Sequence, residues 1–525
     1  MRKLTIICIL IILIPVLLFA RNGQKVIPLE SDVYGAIDML YLLEGKALPS
    51  TTRPWTTAEA EKILSKVSER TSPELYAIVS EAITEHPRLA VDELFKMSFR
   101  GYASITGYAH TNTDFRYPFN GMTNYLFSAD NEKPTFQGSW EAWAGDHIYS
   151  FVWYQYKNNF NADKFSSYNF NFNIANLTPE GFTSDLDQRE PSRAFAVAGG
   201  EGWSIEIGRD RLAMGTGVSG SLILSNTFPY HNLLRFSLFG TKYKYSFVMS
   251  FLPHMADENR GILYYMTHRF ECRFLSDSLY IAANESIMYK NDNGNLDVRY
   301  VNPVMYFHNY FISGLANSIV DLEASWSFSK GWNLYFQFAL DQFVTPWEIK
   351  DGDRTDPLAF GALIGLTHVS RLGNGYLTLS AEGAYTMPYL YLRATNIPPD
   401  QHVQPQDDPG LGYIGLYRGN RFFLGYTYGN DAVVFNIRGT YKVVADLEIS
   451  ADLLFMLNGE KNIWSLFDMA DKSFAPSGDY TLFWFAELNA KKYFSESFDI
   501  YARYDLVSSS GIADNQFVIG MEKRF

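Results

Sequence analysis

Past residue 20 the chain has one cysteine, Cys272, no uninterrupted apolar run long enough to cross a bilayer as a helix, and a shortage of basic residues. Each absence excludes something. A lone cysteine permits no internal disulfide. A spanning helix needs roughly 20 apolar residues, so none is expected. Without residues 1–20, 42 Lys and Arg face 57 Asp and Glu, a net charge of −15, and such a chain has no electrostatic basis for binding nucleic acid. No phosphate-binding loop, HExxH helix or nucleophile elbow occurs. The nine histidines show no metal-ligand spacing, and the Gly-rich stretch GTGVSG (215–220) has no βαβ setting. No cofactor, no metal and no catalytic residue is therefore expected.

The N-terminus is different in kind. Arg2 and Lys3 precede an apolar run from Leu4 to Phe19 that ends at Ala20. That is the charged head and apolar centre of a secretory signal, expected to span 1–20. Leu18 stands where a small residue is usual before the cut, and Cys8 lies inside the run rather than at its end, which argues against a lipoprotein anchor.

Aromatic residues are abundant, at 16% of the chain, a composition suited to strands and membrane interfaces. Residues 320–340 read VDLEASWSFSKGWNLYFQFAL. Leu322, Ala324, Trp326 and Phe328 fall on one face and Asp321, Glu323, Ser325 and Ser327 on the other. After Ser329-Lys330-Gly331 the alternation resumes, with Trp332, Leu334, Phe336, Phe338 and Leu340 opposite Asn333, Gln337 and Asp341. Period two with a short Gly-containing break is a hairpin. From Met97 onward such segments follow one another. Short turns near 145–146, 199–202, 240–242, 276–278, 329–331, 371–375 and 494–497 alternate with long connections near 110–134, 158–190, 211–232, 290–318, 344–358, 386–411 and 458–478. A transmembrane barrel sorts its connections in this way, with short turns in the periplasm and long loops outside. The last strand, QFVIGMEKRF, puts Phe517, Ile519, Met521 and Phe525 on one face, as outer-membrane strands do, with Lys523 free to snorkel.

The expected fold is thus all-β: a transmembrane antiparallel β-barrel of about 18 strands, with 20 possible, and a small N-terminal periplasmic helical segment. Residues 1–20 form the signal, 21–96 the helical segment and 97–525 the barrel in the bacterial outer membrane. In the helical segment Ser31 caps a helix carrying Val33, Ile37, Leu40 and Tyr41, and Gly45 ends it. Thr56 and Glu59 make a capping box for a second helix, and Ser72-Pro73 opens a third that runs to about His86. Trp326, Phe336 and Phe338 are then expected to face lipid. Asp321, Glu323, Gln337, Asp341, Glu206, Glu382, Glu448 and Asp452 point into the lumen, either as a solvated interior or as a cation pathway. Arg should be costly at Phe336 and tolerated at Gln337. Cys272 shares its face with Phe270 and Phe274 and reads as a packing residue.

Several stretches resemble the Wzi family of capsule assembly proteins. VIPLESDVYGAIDMLYLLEGKALPSTTRPWTTAEAEKIL carries Pro28, Ser31, Tyr34 and the Arg53-Pro54-Trp55 step of its N-terminal segment. GRDRLAMGTGVSGSLILSN (208–226) is similar to its Gly-rich stretch, and HRFECRFLSDSLYIAANESIMY (268–289) with VRYVNPVMYF (298–307) to its paired strands and Asn-Pro loop. The resemblance runs in order over most of the chain, without a matching motif in the last 180 residues. It implies an 18-stranded outer-membrane barrel that holds capsular polysaccharide as a lectin rather than an enzyme. Independently, aromatic faces and fixed amides in the long loops suit sugars. The candidate glycan-binding residues are Arg299, Asn302, Tyr306, His308, Trp347, Tyr389 and Tyr391. A porin for small solutes is the alternative, and an outer-face hydrolase using His268 and Ser286 is the third reading, although nothing pairs those two. Expected partners are surface polysaccharide, outer-membrane lipid and the barrel-insertion machinery, which would read the strand ending in Phe525.

Overall fold

The computed structural model describes residues 22–84, 89–90, 95–118, 133–156, 167–171, 193–252, 262–291, 296–305, 307, 315–342, 357–392, 412–417, 420–465, 468 and 470–525. The predicted signal at 1–20 lies outside them. Eighteen strands make the wall: β1 Phe95–His110, β2 Phe136–Ala144, β3 Ile148–Tyr156, β4 Arg193–Gly200, β5 Trp203–Asp210, β6 His231–Phe239, β7 Tyr243–Leu252, β8 Ile262–Phe274 and β9 Leu279–Asn291. Then come β10 Leu315–Ser329, β11 Trp332–Gln342, β12 Ala359–Leu372, β13 Gly375–Thr386, β14 Ala432–Val443, β15 Leu447–Asn458, β16 Thr481–Ser495, β17 Phe498–Ser509 and β18 Ile512–Arg524. Each pairs antiparallel with the next, and β18 closes on β1, Phe517 opposite Ala109. Closure leaves no strand edge without partners, the condition for strands in lipid.

The alternation read in the sequence sets the two faces of the wall. Leu322, Trp326, Phe328, Trp332 and Phe336 are exposed outward, while Asp321, Glu323, Ser325, Asn333 and Gln337 are buried inward. Adjacent aromatics mark two levels of the outer face. Trp326, Phe328 and Trp332 neighbour one another near the short turns (centroids 5.7 and 6.3 Å). Phe338, Phe360 and Tyr385 do so toward the long loops (5.7 and 5.8 Å). They are the two girdles of a membrane-embedded barrel. Cys272 is free and shares its outward face with exposed Phe270 and Phe274. Lys523 reaches back to the Ser497 hydroxyl at 2.7 Å, at the short-turn rim, which is the snorkelling expected of it.

Three helices sit at the short-turn end: α1 Asp32–Leu43, α2 Thr57–Leu64 and α3 Pro73–Thr84. Ser31 caps α1, accepting from Val33 N–H at 3.3 Å. Thr56 caps α2, accepting from Glu59 N–H. The expected capping box is only half formed, because the Glu59 carboxylate turns away to Lys244 Nζ at 2.5 Å. The helices dock on hairpin turns. Gly331, at φ +78, donates its N–H to Leu42 O at 2.6 Å, and a Cβ there would meet Val369 O at 2.4 Å. Tyr376 bonds Ser72 at 2.7 Å and Glu74 at 2.5 Å. The segment is more than an appendage. Residues 47–56 enter the barrel, where Thr52–Arg53 pair with Ala213–Met214.

Two features differ from the sequence expectation. Ile414–Tyr417 and Asn420–Phe423 form a separate two-stranded hairpin, not wall strands, so the long connection expected at 386–411 extends to 431. The link between β17 and β18 is a tight turn at Ser510-Gly511, although it lies at the long-loop end.

Candidate functional site at the long-loop mouth

Two connections fold back into the lumen. Residues 211–230, between β5 and β6, and, between β13 and β14, residues 387–392, 412–417 and 420–431 carry apolar side chains that pack against the inner wall. Leu222, Ile223, Leu224, Leu390, Tyr391 and Tyr413 are fully buried among inward residues such as Tyr265, Tyr335, Leu363 and Leu454. Polar wall residues lock them in place. Glu382 accepts from Val218 N–H (2.7 Å), Ser219 N–H (2.9 Å), the Ser219 hydroxyl and the Tyr335 hydroxyl (2.8 Å). Gln337 accepts from Leu222 N–H at 2.9 Å, and Asp341 from Tyr391 N–H at 2.8 Å. The Gly-rich stretch 215–220 is therefore a cradle for the protein's own carboxylate, a common fate of successive backbone N–H groups. A Cβ at Gly220, at φ +143, would meet the Thr427 hydroxyl at 2.3 Å.

Beneath this plug, Arg269 is completely buried. It donates to Glu323 at 2.6 Å and to Thr51 at 2.7 Å, with Asp321 at 3.7 Å. Arg235 pairs with Glu206 at 2.5 Å. These acids were expected to be solvated or to line a cation path. Here Glu323, Glu206 and Glu382 are neither, because they hold Arg269, Arg235 and the plug, whereas Glu448 is partly exposed beside Lys442. The substitution expected to be tolerated at Gln337 would remove a clamp, because that side chain holds Leu222.

The candidate glycan residues separate. Tyr391, at φ +72, is buried, donates to Leu222 O at 2.6 Å and accepts from Tyr426 N–H at 3.0 Å. Burial raises its hydroxyl pKa. It serves the plug and offers no face to a sugar. Tyr389 is buried too, its hydroxyl donating to Asp471 at 2.8 Å. Asp471 also faces Lys461 at 3.3 Å. Partial burial opposes its charge, but the Ser473, Tyr389 and Lys461 hydrogen bonds prevail and hold its pKa below the usual carboxylate range. Arg299 and Asn302 are exposed, on a segment that lies against the outside of the wall, across it from Tyr391. Tyr306, His308 and Trp347 lie outside the described residues.

The sequence reading overlooked Trp464. It sits in the 459–480 connection, is 44% exposed, and has the Arg421 guanidinium 3.9 Å from its ring centroid. Its backbone N–H is fixed by Asn462 Oδ1 at 2.9 Å. Exposed Phe474 and Tyr480 share the connection. The signal was available, since this is a tryptophan in a long connection, as Trp347 is. The hydrolase pair dissolves. His268 points outward, meeting Tyr245 and Tyr300, while Ser286 points inward to Asn284 and Thr267.

No protein-family model and no curated protein matches this sequence. Among solved structures, the chain is similar to Wzi, an outer-membrane protein involved in group 1 capsule assembly in Escherichia coli and a carbohydrate-binding β-barrel. The TM-score is 0.61 at 12% identity, over 95% of this chain and 99% of that one. Pseudomonas aeruginosa OprD (TM-score 0.39, 9% identity, 82% and 95% covered) and the Acinetobacter baumannii channel DcaP (0.36, 10%, 84% and 100%) align too loosely to bear on function. The likeness to Wzi read in the sequence is thus met in the fold, and the chain is a bacterial outer-membrane β-barrel.

Proposed function

We propose that this barrel attaches or helps assemble a capsular or extracellular polysaccharide at the cell surface, as a non-enzymatic lectin. The observation that carries the reading is the plug. Segments of two long loops are bonded into the lumen by Glu382, Gln337 and Asp341, which gives the β8–β13 side of the mouth a deck. On that deck Trp464 presents an indole stiffened by Arg421. A rigid aromatic face suits the C–H side of a pyranose at little entropic cost. The fold likeness to a carbohydrate-binding barrel supports the same reading. Tyr306, His308 and Trp347, outside the described residues, remain candidates.

The test is surface retention. Trp464→Ala combined with Trp347→Ala should release polysaccharide into the medium while the barrel keeps its heat-modifiable migration. Many barrels on one polymer mask a weak site, so the double change is the fair one. Unchanged retention in the double variant and in the complete deletion would refute the lectin.

Passage of small solutes is the second reading. It draws on the inner wall of β14–β17, where Arg438 is 44% exposed and Arg503 and Lys491 are also reached by solvent. A planar-bilayer measurement separates the two readings. The lectin predicts a closed wild-type barrel and the porin a steady conductance.

A further inference from the structure

The 459–480 connection, which carries Trp464, is built on carboxylates. Asp431 accepts from the Lys461 and Ser477 N–H groups at 2.9 and 2.8 Å. Glu460 accepts from Asp479 N–H at 2.9 Å, Asp468 from Ala470 N–H at 2.9 Å and Asp471 from Ser473 N–H at 2.8 Å. Each bond fixes a turn of the connection or ties it to the neighbouring loop. The negative charge is therefore part of the loop's construction. Backbone donors of the kind that cradle an anion are here turned toward the protein's own acids.

The side-chain cations are committed in the same way. Lys461 faces Asp471 at 3.3 Å. Arg421 is buried behind the Trp464 indole, 3.9 Å from its centroid. Lys472 is exposed, but Glu460, Asp468 and Asp479 of the same connection are exposed too. The 343–358 connection, which carries Trp347, repeats the balance in its sequence, with Glu348, Asp351, Asp353 and Asp356 against Lys350 and Arg354. Over all the connections at the long-loop end, 24 Asp and Glu face 15 Lys and Arg. What the deck offers outward is acceptor oxygen and aromatic ring: carboxylates, the Trp464 indole, Phe474 and Tyr480.

We infer that the polysaccharide held there carries no acidic groups: it is a polymer of uncharged sugar units, free of uronate and phosphate. The inference rests on the lectin reading of the deck and names its ligand class. Sugar hydroxyls are donors, and a carboxylate takes them in short, charge-assisted hydrogen bonds. The C–H face of a pyranose lies on the indole. A uronate or phosphate polymer would set like charge against like, an arrangement that turns partners away, on a loop whose own acids already take its backbone donors.

The test takes the polymer released by the Trp464→Ala, Trp347→Ala double variant and the purified full-length wild-type barrel. The polymer should pass an anion exchanger at neutral pH and contain neither uronate nor phosphate. Immobilised, it should capture the barrel equally at about 50 and about 500 mM salt, and equally with a chelator present. Glu460→Gln combined with Asp468→Asn keeps both side-chain acceptors for the backbone and removes two charges. It should weaken capture about fivefold, whereas for a polyanion the same change would strengthen it. Heat-modifiable migration confirms that this variant is folded, and the composition of the polymer decides the matter without it. A polymer retained by the exchanger, capture that rises in the charge-neutral variant, or capture lost to the chelator (an acidic polymer bridged by a divalent cation) would overturn the inference and leave the lectin standing. No release by the double variant, with no capture of the wild type by polymer extracted from its own cells, would instead end the lectin reading and this inference with it.

Discussion

Two sectors of the same inner wall solve the same problem in opposite ways. On β8–β13, Arg269, Glu323 and Glu382 are buried, and each is answered by a partner or by the backbone of a loop, while Asp321 is buried with only the Arg269 guanidinium near it, at 3.7 Å. On β14–β17, Arg438 pairs with Asp452 at 2.7 Å, and Arg503 with Glu487 and Asp505 at 2.8 Å each, yet the cations remain within reach of solvent. In sequence the two sectors look alike, with acids at alternate positions facing inward. What differs is coverage. Residues 47–56 and the two inward loops bond directly to the charged groups of the first sector, at Arg269, Glu323, Glu382 and Asp341. A charge without water must be met group by group, whereas a solvated pair is replaceable.

The largest effect should come from breaking the dry side. Arg269→Met leaves Glu323 and Asp321 buried without their cation and should cost about 3–5 kcal/mol. Arg438→Met in the wet sector should cost about 1 kcal/mol or less. Denaturant unfolding in detergent measures both, and equal costs would erase the distinction between the sectors.

Next is the outer face against the inner. Arg at Phe336 should cost roughly 2–4 kcal/mol near the bilayer midplane and lower the yield of inserted barrel. Arg at Gln337 should leave insertion intact and instead free Leu222, so that the barrel begins to conduct. Conductance from the Phe336 variant alone would reverse the assigned faces.

A subtler change tests the plug. Glu382→Ala orphans two backbone N–H donors at Val218 and Ser219, a penalty of about 1–3 kcal/mol each if they stay dry. Residues 211–230 should loosen, seen as faster amide exchange and intermittent channel opening, while Asp452→Ala on the wet side should leave exchange there unchanged.

The smallest effect is one of pH. The pKa of Asp471 is lower in the folded deck than in an unfolded loop. Its contribution is therefore complete above the ordinary aspartate pKa of about 3.9 and fades as pH falls toward the folded value. Proteolysis of the 459–480 connection should be unchanged between pH 7 and 5 and faster near pH 3. Asp471→Asn should remove that dependence.

Much of the fold was legible because the period of a strand is local. Leu322, Trp326 and Phe336 face lipid as their alternation requires, and Ser31 and Thr56 cap helices where their spacing puts them. The site was much less legible. Tyr391 reads as a loop aromatic until Leu222, 169 residues away, accepts its hydroxyl proton. Arg299 reads as a mouth residue until His268 and Glu285 pin its loop to the outer wall. Trp464 was readable but stood in a stretch with no other motif.

The sequence by itself determined the barrel: which residues face lipid, which face inward, and where most of the short connections fall. Those follow from nearest-neighbour geometry, since side chains alternate across a strand and a tight turn needs only a few residues. Only the tertiary structure decided which inward acids stay dry, which loop closes the lumen and which one straps the outside. Each depends on contacts between segments far apart in the chain, where burial and hydrogen-bond partners are set by the whole closed wall.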